Sequence, residues 1–172
     1  MIDFANIPYI PAAHQSARQP GSKITDIVMH TMSGSYEGSI EWFKDPKSAG
    51  SAHYLISQKG EVTQCVKDIQ KAWAVCNFNS QSISIEMEDG VPGAAQKSIS
   101  WLTPALWDKA VELTAALCIK YGINPLTNIW QHCDPYLRKF GNDHVDISWN
   151  LWPAIKFKQA VQSAIQQEKS SA

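Results

Sequence analysis

Two runs of apolar residues predict buried strands at the centre of the fold. Residues Ile24–His30 form a short β-rich apolar run, and the breakers at 33–35 follow it too soon for a helix. In residues 82–88, Ile83, Ile85 and Met87 alternate strictly with polar residues. Because side chains alternate across a strand, this segment predicts a strand with one face on the core and one face in water.

Further strands are indicated by turn signals. Residues 51–57 and 61–66 flank Gln58-Lys59-Gly60, which is the pattern of a β-hairpin with a glycine in its turn. The apolar pair Ile129-Trp130 suits the end of another buried strand. It is followed by a polar stretch that reaches Asp146, which we interpret as a loop between two rigid elements. Binding and catalytic groups are often found in such loops.

Three segments have apolar residues at helical spacing. The first covers 36–44 and stops at Asp45-Pro46. The second begins with Thr103 as its N-cap and Pro104 at its first position, and it ends at Gly122. The third covers about 152–168, and its apolar residues are Ile155, Val161 and Ile165.

These elements predict an α/β fold, with a central mixed β-sheet flanked by helices in a single layered domain. The 172 residues are the length of one domain. We expect that domain to occupy 1–172, with its core at about 7–166, an irregular arm at 1–23 and a frayed tail at 167–172. We also expect a monomer.

Composition excludes several classes of partner. The net charge is −1 and there is no basic run, so nucleic acid is a poor candidate partner. No apolar window is long enough for a membrane span.

The N-terminus lacks a basic start followed by an apolar core, so we expect no signal peptide and synthesis in the cytoplasm. The four cysteines have no CxxC spacing, which indicates reduced and mostly buried thiols.

Candidate chemistry lies in the polar stretch and at the end of the first strand. His30, His132 and Asp146 are residue types that bind zinc, and a catalytic zinc site needs three of them. No short motif such as HExxH joins them, so each histidine could equally be a structural residue. Glu86 on an alternating strand could likewise be a solvated surface carboxylate. We expect the core, rather than a sugar-binding surface, for most of the tryptophans Trp42, Trp73, Trp101, Trp107 and Trp130. One or two of them could line the cleft, and the sequence does not say which.

Four segments together resemble the zinc-dependent N-acetylmuramoyl-L-alanine amidases of the type 2 class. This family includes phage endolysins, cell-wall recycling amidases and peptidoglycan recognition proteins. The resemblance runs from about Ile7 to the last helix and keeps the family's motif order. The segments are IVMHTMSGSYEGSIEWF (27–43), SAHYLISQKGEVTQCV (51–66), KAWAVCNFNSQSISIEMED (71–89) and WQHCDPYLRKFGNDHVD (130–146).

The resemblance implies a metal site and two catalytic residues. It places Zn²⁺ on His30, His132 and Asp146, with Asp143 as the alternative third ligand. Glu86 matches the family's mid-sheet glutamate. His144 stands where the family often has a lysine that stabilises the oxyanion. The chain also departs from the pattern at two other positions, with Gln131 where glycine is usual and Ala74 where histidine is common.

The implied activity is hydrolysis of the amide bond between N-acetylmuramic acid and L-alanine in peptidoglycan. Bound zinc would activate water and polarise the carbonyl, Glu86 would transfer the proton, and His144 would donate to the oxyanion. We prefer a lytic, endolysin-like enzyme that a holin releases to the cell wall. The alternatives are a cytoplasmic amidase that recycles soluble muropeptides and a non-catalytic peptidoglycan-binding module.

Overall fold

Helices pack on a five-stranded mixed sheet in the computed structural model, which describes residues 2–142, 145–148 and 150–171. The strands in these ranges are β1 (Gln15–Ala17), β2 (Asp26–Thr31), β3 (Tyr54–Ile56), β4 (Val62–Gln64), β5 (Gln70–Ala72), β6 (Ser82–Met87) and β7 (Ile129–Gln131). The α-helices are α1 (Tyr36–Lys44), α2 (Pro104–Tyr121) and α3 (Ala154–Ser171).

The main sheet has the strand order β4-β3-β6-β2-β7. Strands β3, β6, β2 and β7 are parallel, and β4 pairs antiparallel with β3 as the second strand of the predicted hairpin. Strands β1 and β5 form a separate antiparallel pair. The predicted class, an α/β fold with a central mixed sheet flanked by helices, is therefore confirmed.

One face of the sheet is covered by α2 and α3. Ile83, Ile85 and Met87 of β6 are fully buried there, in one cluster with Leu113 of α2 and Phe157 of α3. Burial of each such side chain contributes roughly 1.5–3 kcal/mol to folding. The alternation in residues 82–88 correctly predicted which residues of β6 face this core.

Most of the other face of β6 is covered, so the prediction of a face in water was wrong for Ser82 and Ser84. Ser82 and Ser84 are 0% and 1% exposed. The strand lies between two parallel neighbours, and such sheets are normally covered on both faces. Here the second cover comes from α1 and from the segments around Phe78 and Leu137. The Ser82 hydroxyl donates to the Phe78 carbonyl over 3.0 Å, which makes its burial possible.

Local capping signals place the ends of the first two helices where the sequence predicts them. Thr103 Oγ1 accepts a hydrogen bond from the Leu106 amide over 3.1 Å, at the start of α2. Gly122 ends this helix with φ 68°, a left-handed conformation that glycine adopts without strain. Ser35 caps α1 in the same way as Thr103 caps α2.

Helix α3 differs from its prediction in two respects. Ile155 is 75% exposed, and Phe157 takes the expected inward position together with Val161 and Ile165. The helix also continues to Ser171, so the tail expected to fray from residue 167 is helical in the described part of the chain. Among the described residues, no helix combines the length and the apolar character that a membrane span requires.

The arm at residues 1–23 contains more structure than the sequence indicates. Its residues 15–17 form β1, whose partner β5 lies far away in the chain. Arg18 then fastens the arm to the sheet, because its guanidinium donates to four backbone carbonyls over 2.9–3.0 Å. These carbonyls belong to Asp68, Asn79, Ser80 and Ser82.

The four cysteines are unpaired thiols, as expected, and Cys76 alone among them is exposed. Two tryptophans expected in the core lie largely outside it, since Trp42 is 51% exposed and Trp73 is 43% exposed.

Candidate metal centre

The three predicted metal ligands meet at the carboxyl ends of adjacent parallel strands. His30 lies near the end of β2, and His132 follows β7 directly. The Nδ1 atoms of both histidines approach the same oxygen, Asp146 Oδ2, at 3.2 Å for His30 and 2.7 Å for His132. One nitrogen from each ring and one carboxylate oxygen lie within 4.8 Å of one another.

Neighbouring segments hold the Asp146 backbone in place. The Thr31 hydroxyl, at the end of β2, donates to the Asp146 carbonyl over 3.0 Å. The Gln96 side chain donates to the carbonyl of Val145 over 2.8 Å. The carboxylate therefore reaches the two histidines from a segment anchored to the sheet on one side and to the loop before α2 on the other.

The donor set fits a divalent metal ion. Two imidazole nitrogens and one carboxylate oxygen are the type and number of protein ligands found in catalytic zinc sites. Both histidine residues are 1% exposed, so these ligands come from a buried region. Asp146 Oδ1 is buried and makes no hydrogen bond to any described residue. Buried polar atoms normally have partners, so an additional cation is consistent with this arrangement.

The two carboxylates of the site have opposite pKa shifts. Burial alone would raise the pKa of Asp146, but the hydrogen bonds with His132 and His30 outweigh it and hold this pKa below its usual value. Burial also favours neutral His132, yet its bond to Asp146 raises the His132 pKa. The pKa of Glu86 is raised well above its usual value by burial first, and then by the negative charges of Asp146 and Asp89.

Glu86 lies beside the three ligands in one cleft. Its strand neighbour across the β2–β6 ladder is His30, and side chains at paired positions emerge on the same face of a sheet. Its Oε2 atom is buried without a hydrogen-bond partner among the described residues. The cleft has a volume of about 380 Å³, and its lining includes Glu86, His30, His132 and Asp146. A carboxyl group with a raised pKa in this position can accept and return a proton.

His144 and Asp143, which the family resemblance also implicates, fall outside the described residues. Arg138 and Lys139 are exposed, on the 3₁₀ segment Pro135–Phe140. His53, directly before β3, is buried, and its Nδ1 accepts the Ser84 amide hydrogen over 3.0 Å.

Sequence reasoning missed Asn142, which contacts His132 through both ends of its side-chain amide. Asparagine after glycine is an ordinary turn pattern, so nothing in the sequence distinguishes this residue. The sequence also leaves open which tryptophan lines the cleft, and the structure places the exposed Trp73 there, where the indole N–H donates to Ser16 Oγ over 3.1 Å.

Comparison with known proteins identifies relatives. Residues 20–146 match the family described as N-acetylmuramoyl-L-alanine amidase. The chain is 35% identical over 124 residues to N-acetylmuramoyl-L-alanine amidase A of Achromobacter lyticus, which covers 72% of this chain and 67% of that protein.

Two solved structures share the fold at lower identity. A crystal structure of AmpD is 23% identical and covers 92% of this chain and 98% of its own, with a TM-score of 0.66. The hydrolase AmiA of Staphylococcus aureus, solved with its ligand, is 16% identical and covers 98% of this chain and 87% of its own, with a TM-score of 0.71.

Proposed function

The chain belongs to the N-acetylmuramoyl-L-alanine amidase family, and on this premise we propose that it is a zinc enzyme of the bacterial cell wall. It hydrolyses the amide bond between N-acetylmuramic acid and the L-alanine of the stem peptide. The observation that carries this proposal is the convergence of His30 Nδ1, His132 Nδ1 and the Asp146 carboxylate, with Glu86 in the same cleft.

His30, His132 and Asp146 would hold the metal ion. A zinc ion bound by them would supply Lewis acidity toward the amide carbonyl and toward a water molecule. Their burial keeps the charged centre in a region of low dielectric, where electrostatic interactions are stronger than in bulk water.

Glu86 would move the proton. It accepts a proton from the attacking water and returns it to the nitrogen of L-alanine. The stem peptide then leaves with a neutral amine. Its raised pKa supports this role, because a carboxylate that holds a proton more tightly is a better base near neutral pH. His144 would donate a hydrogen bond to the oxyanion of the tetrahedral intermediate, a contact worth roughly 3 kcal/mol in comparable enzymes.

We propose intact peptidoglycan, rather than soluble muropeptides alone, as the substrate. The rim of the cleft includes Ala49, Trp73 and Val145, all of them exposed. A cleft that opens to the surface in this way admits a stem peptide that is still attached to a glycan strand.

The experiment uses insoluble sacculi and soluble anhydro-muropeptides in parallel. Purified protein should release stem peptides with a new L-alanine amine from the sacculi, as detected by mass spectrometry. A chelator should abolish the release and added zinc should restore it. Cleavage of soluble muropeptides alone would favour the recycling enzyme. Wall binding without cleavage and without bound metal would favour the binding module. Full activity of His30→Ala would contradict the metal assignment.

A further inference from the structure

Asn142 contacts His132 twice, and the two contacts fix how its amide is oriented. Asn142 is 6% exposed. Its Nδ2 donates to the backbone carbonyl of His132 over 2.9 Å, and its Oδ1 lies 2.7 Å from His132 Nε2. A backbone carbonyl only accepts hydrogen bonds, so the amide nitrogen must face it. The amide oxygen therefore faces the imidazole ring.

This orientation determines which ring nitrogen of His132 is left for a metal ion. An amide oxygen cannot donate, so the short contact to His132 Nε2 is a hydrogen bond only when Nε2 is protonated. The ionised Asp146 carboxylate also only accepts, so without metal the contact of Nδ1 with Asp146 Oδ2 needs a hydrogen on Nδ1 as well. A metal ion at the point where the candidate ligands converge would take the place of the Nδ1 hydrogen, because the Nε2 hydrogen is already donated to Asn142.

We propose that Asn142 is a positioning residue of the metal centre, which holds His132 in the form that presents Nδ1 to the metal. This inference rests on the proposed function. Without Asn142, a neutral His132 could place its hydrogen on Nδ1 and donate it to Asp146 Oδ2. That arrangement would occupy both ligand atoms and compete with metal binding.

The fold holds Asn142 firmly enough for this role. It lies ten residues after His132, beyond the 3₁₀ segment Pro135–Phe140. Leu137 in that segment is fully buried against Phe78 and Val28. Gly141 ends the segment with φ 90°, a conformation that side-chain-bearing residues rarely adopt. The buried Leu137 and the left-handed Gly141 therefore determine where the chain turns back toward His132.

The first test reads the hydrogen position directly in the wild-type protein. Long-range ¹H–¹⁵N spectra of zinc-loaded protein would be recorded, with the His132 signals assigned through His132→Gln. We expect His132 to carry its hydrogen on Nε2 and to bind zinc through Nδ1. Zinc bound through Nε2, with the hydrogen on Nδ1, would overturn the inference.

The second test compares two variants that remove different halves of the contact. Asn142→Leu loses both hydrogen bonds and should weaken zinc binding by about 10–100-fold, the usual effect of removing such a partner. Asn142→Asp keeps an acceptor for Nε2 but loses the donor to the carbonyl. It should be less stable than wild type, yet bind zinc within a few-fold of it. Zinc affinity would be measured by competition with a chelator.

A matched control separates positioning from general destabilisation. Asn128 donates to Asp26 Oδ1 over 3.1 Å at the opposite end of β7. Asn128→Leu should lower the free energy of unfolding and leave zinc affinity unchanged.

Zinc affinity within twofold of wild type in folded Asn142→Leu would overturn the inference but not the proposed function. Failure of the wild-type protein to bind zinc would instead contradict the proposed function. If Asn142→Leu does not fold, the wild-type spectra and Asn142→Asp decide the matter.

Discussion

His30 and Glu86 are directly paired neighbours on the parallel strands β2 and β6. The pairing puts a candidate metal ligand and a candidate proton carrier on the same face of the sheet, although many residues separate them in the chain. Both stand near the carboxyl ends of their strands, where open parallel sheets generally bind ligands. The relationship suggests that metal binding and proton transfer can be separated by mutation.

Glu86→Gln tests this separation. The amide keeps the size of the side chain but cannot take up a proton, so kcat should fall by at least about 10²-fold. Zinc content should remain at the wild-type level, because the ligands are unchanged. Activity on sacculi and metal content per chain would be measured on the same preparation. A variant that is active, or inactive only because it has lost zinc, would contradict the proposed role.

Asp146→Asn tests the choice of the third ligand. The pKa of Asp146 is held low by its histidine partners, so the carboxylate is charged at neutral pH and suited to a cation. The amide should bind zinc far more weakly and abolish hydrolysis. Asp143→Asn is the matched control, since it removes the alternative ligand from the same loop. Zinc loss in the control rather than in Asp146→Asn would reverse the assignment.

His144→Ala tests the proposed oxyanion donor. Loss of such a contact should lower kcat by about 10²-fold or more, with little change in zinc affinity. His144→Lys should keep the donor charged over a wider pH range, because the reference pKa is about 10.4 for lysine and about 6.5 for histidine. The variant should therefore retain activity further above neutral pH than wild type. Identical pH profiles would show that the charge of residue 144 does not assist the reaction.

Features set by neighbouring residues in the chain could be predicted from the sequence. The N-cap Thr103 and the left-handed Gly122 mark the ends of α2 because both act on adjacent backbone groups. The inward residues of β6 follow from simple alternation. The two histidines and Asp146 were predicted as candidate ligands through the family resemblance, since their spacing alone indicates nothing specific.

Features set by distant residues could not be predicted. The burial of Ser84 depends on segments that cover the second face of β6, and no local pattern in residues 82–88 indicates them. Strand β1 depends on its distant partner β5. The contact of Asn142 with His132 depends on the path of a whole loop. In each case the decisive interaction forms only when remote parts of the chain meet.

Arg18→Lys tests how the arm is held. The planar guanidinium donates to several carbonyls at once, whereas lysine has a compact ammonium group that cannot reproduce this geometry. We expect a loss of about 2–3 kcal/mol in the free energy of unfolding, because buried carbonyls would lose their partners. Urea denaturation would measure it. The exposed substitution Arg138→Lys should change stability by less than about 0.5 kcal/mol. Equal effects would show that Arg18 does not fasten the arm.

His53→Gln tests whether the buried His53 makes the free energy of unfolding depend on pH. Burial, followed by the positive charge of Arg18, lowers the pKa of His53 to about 3. In the unfolded chain this pKa is about 6.5, so the unfolded state binds more protons between these two values. His53 should therefore reduce stability as the pH falls below 6.5, by up to about 1.4 kcal/mol per pH unit, and have no such effect above it.

The measurement is the difference in free energy of unfolding between wild type and His53→Gln at several pH values from 4.5 to 7.5. Glutamine can still accept a hydrogen bond and donate one, but it does not titrate. Contributions from all other titrating groups largely cancel in the difference, provided that the variant keeps the same fold. The difference should be constant above pH 6.5 and shift in favour of the variant as the pH falls. A difference that stays constant over the whole range would mean that His53 titrates alike in the folded and unfolded states.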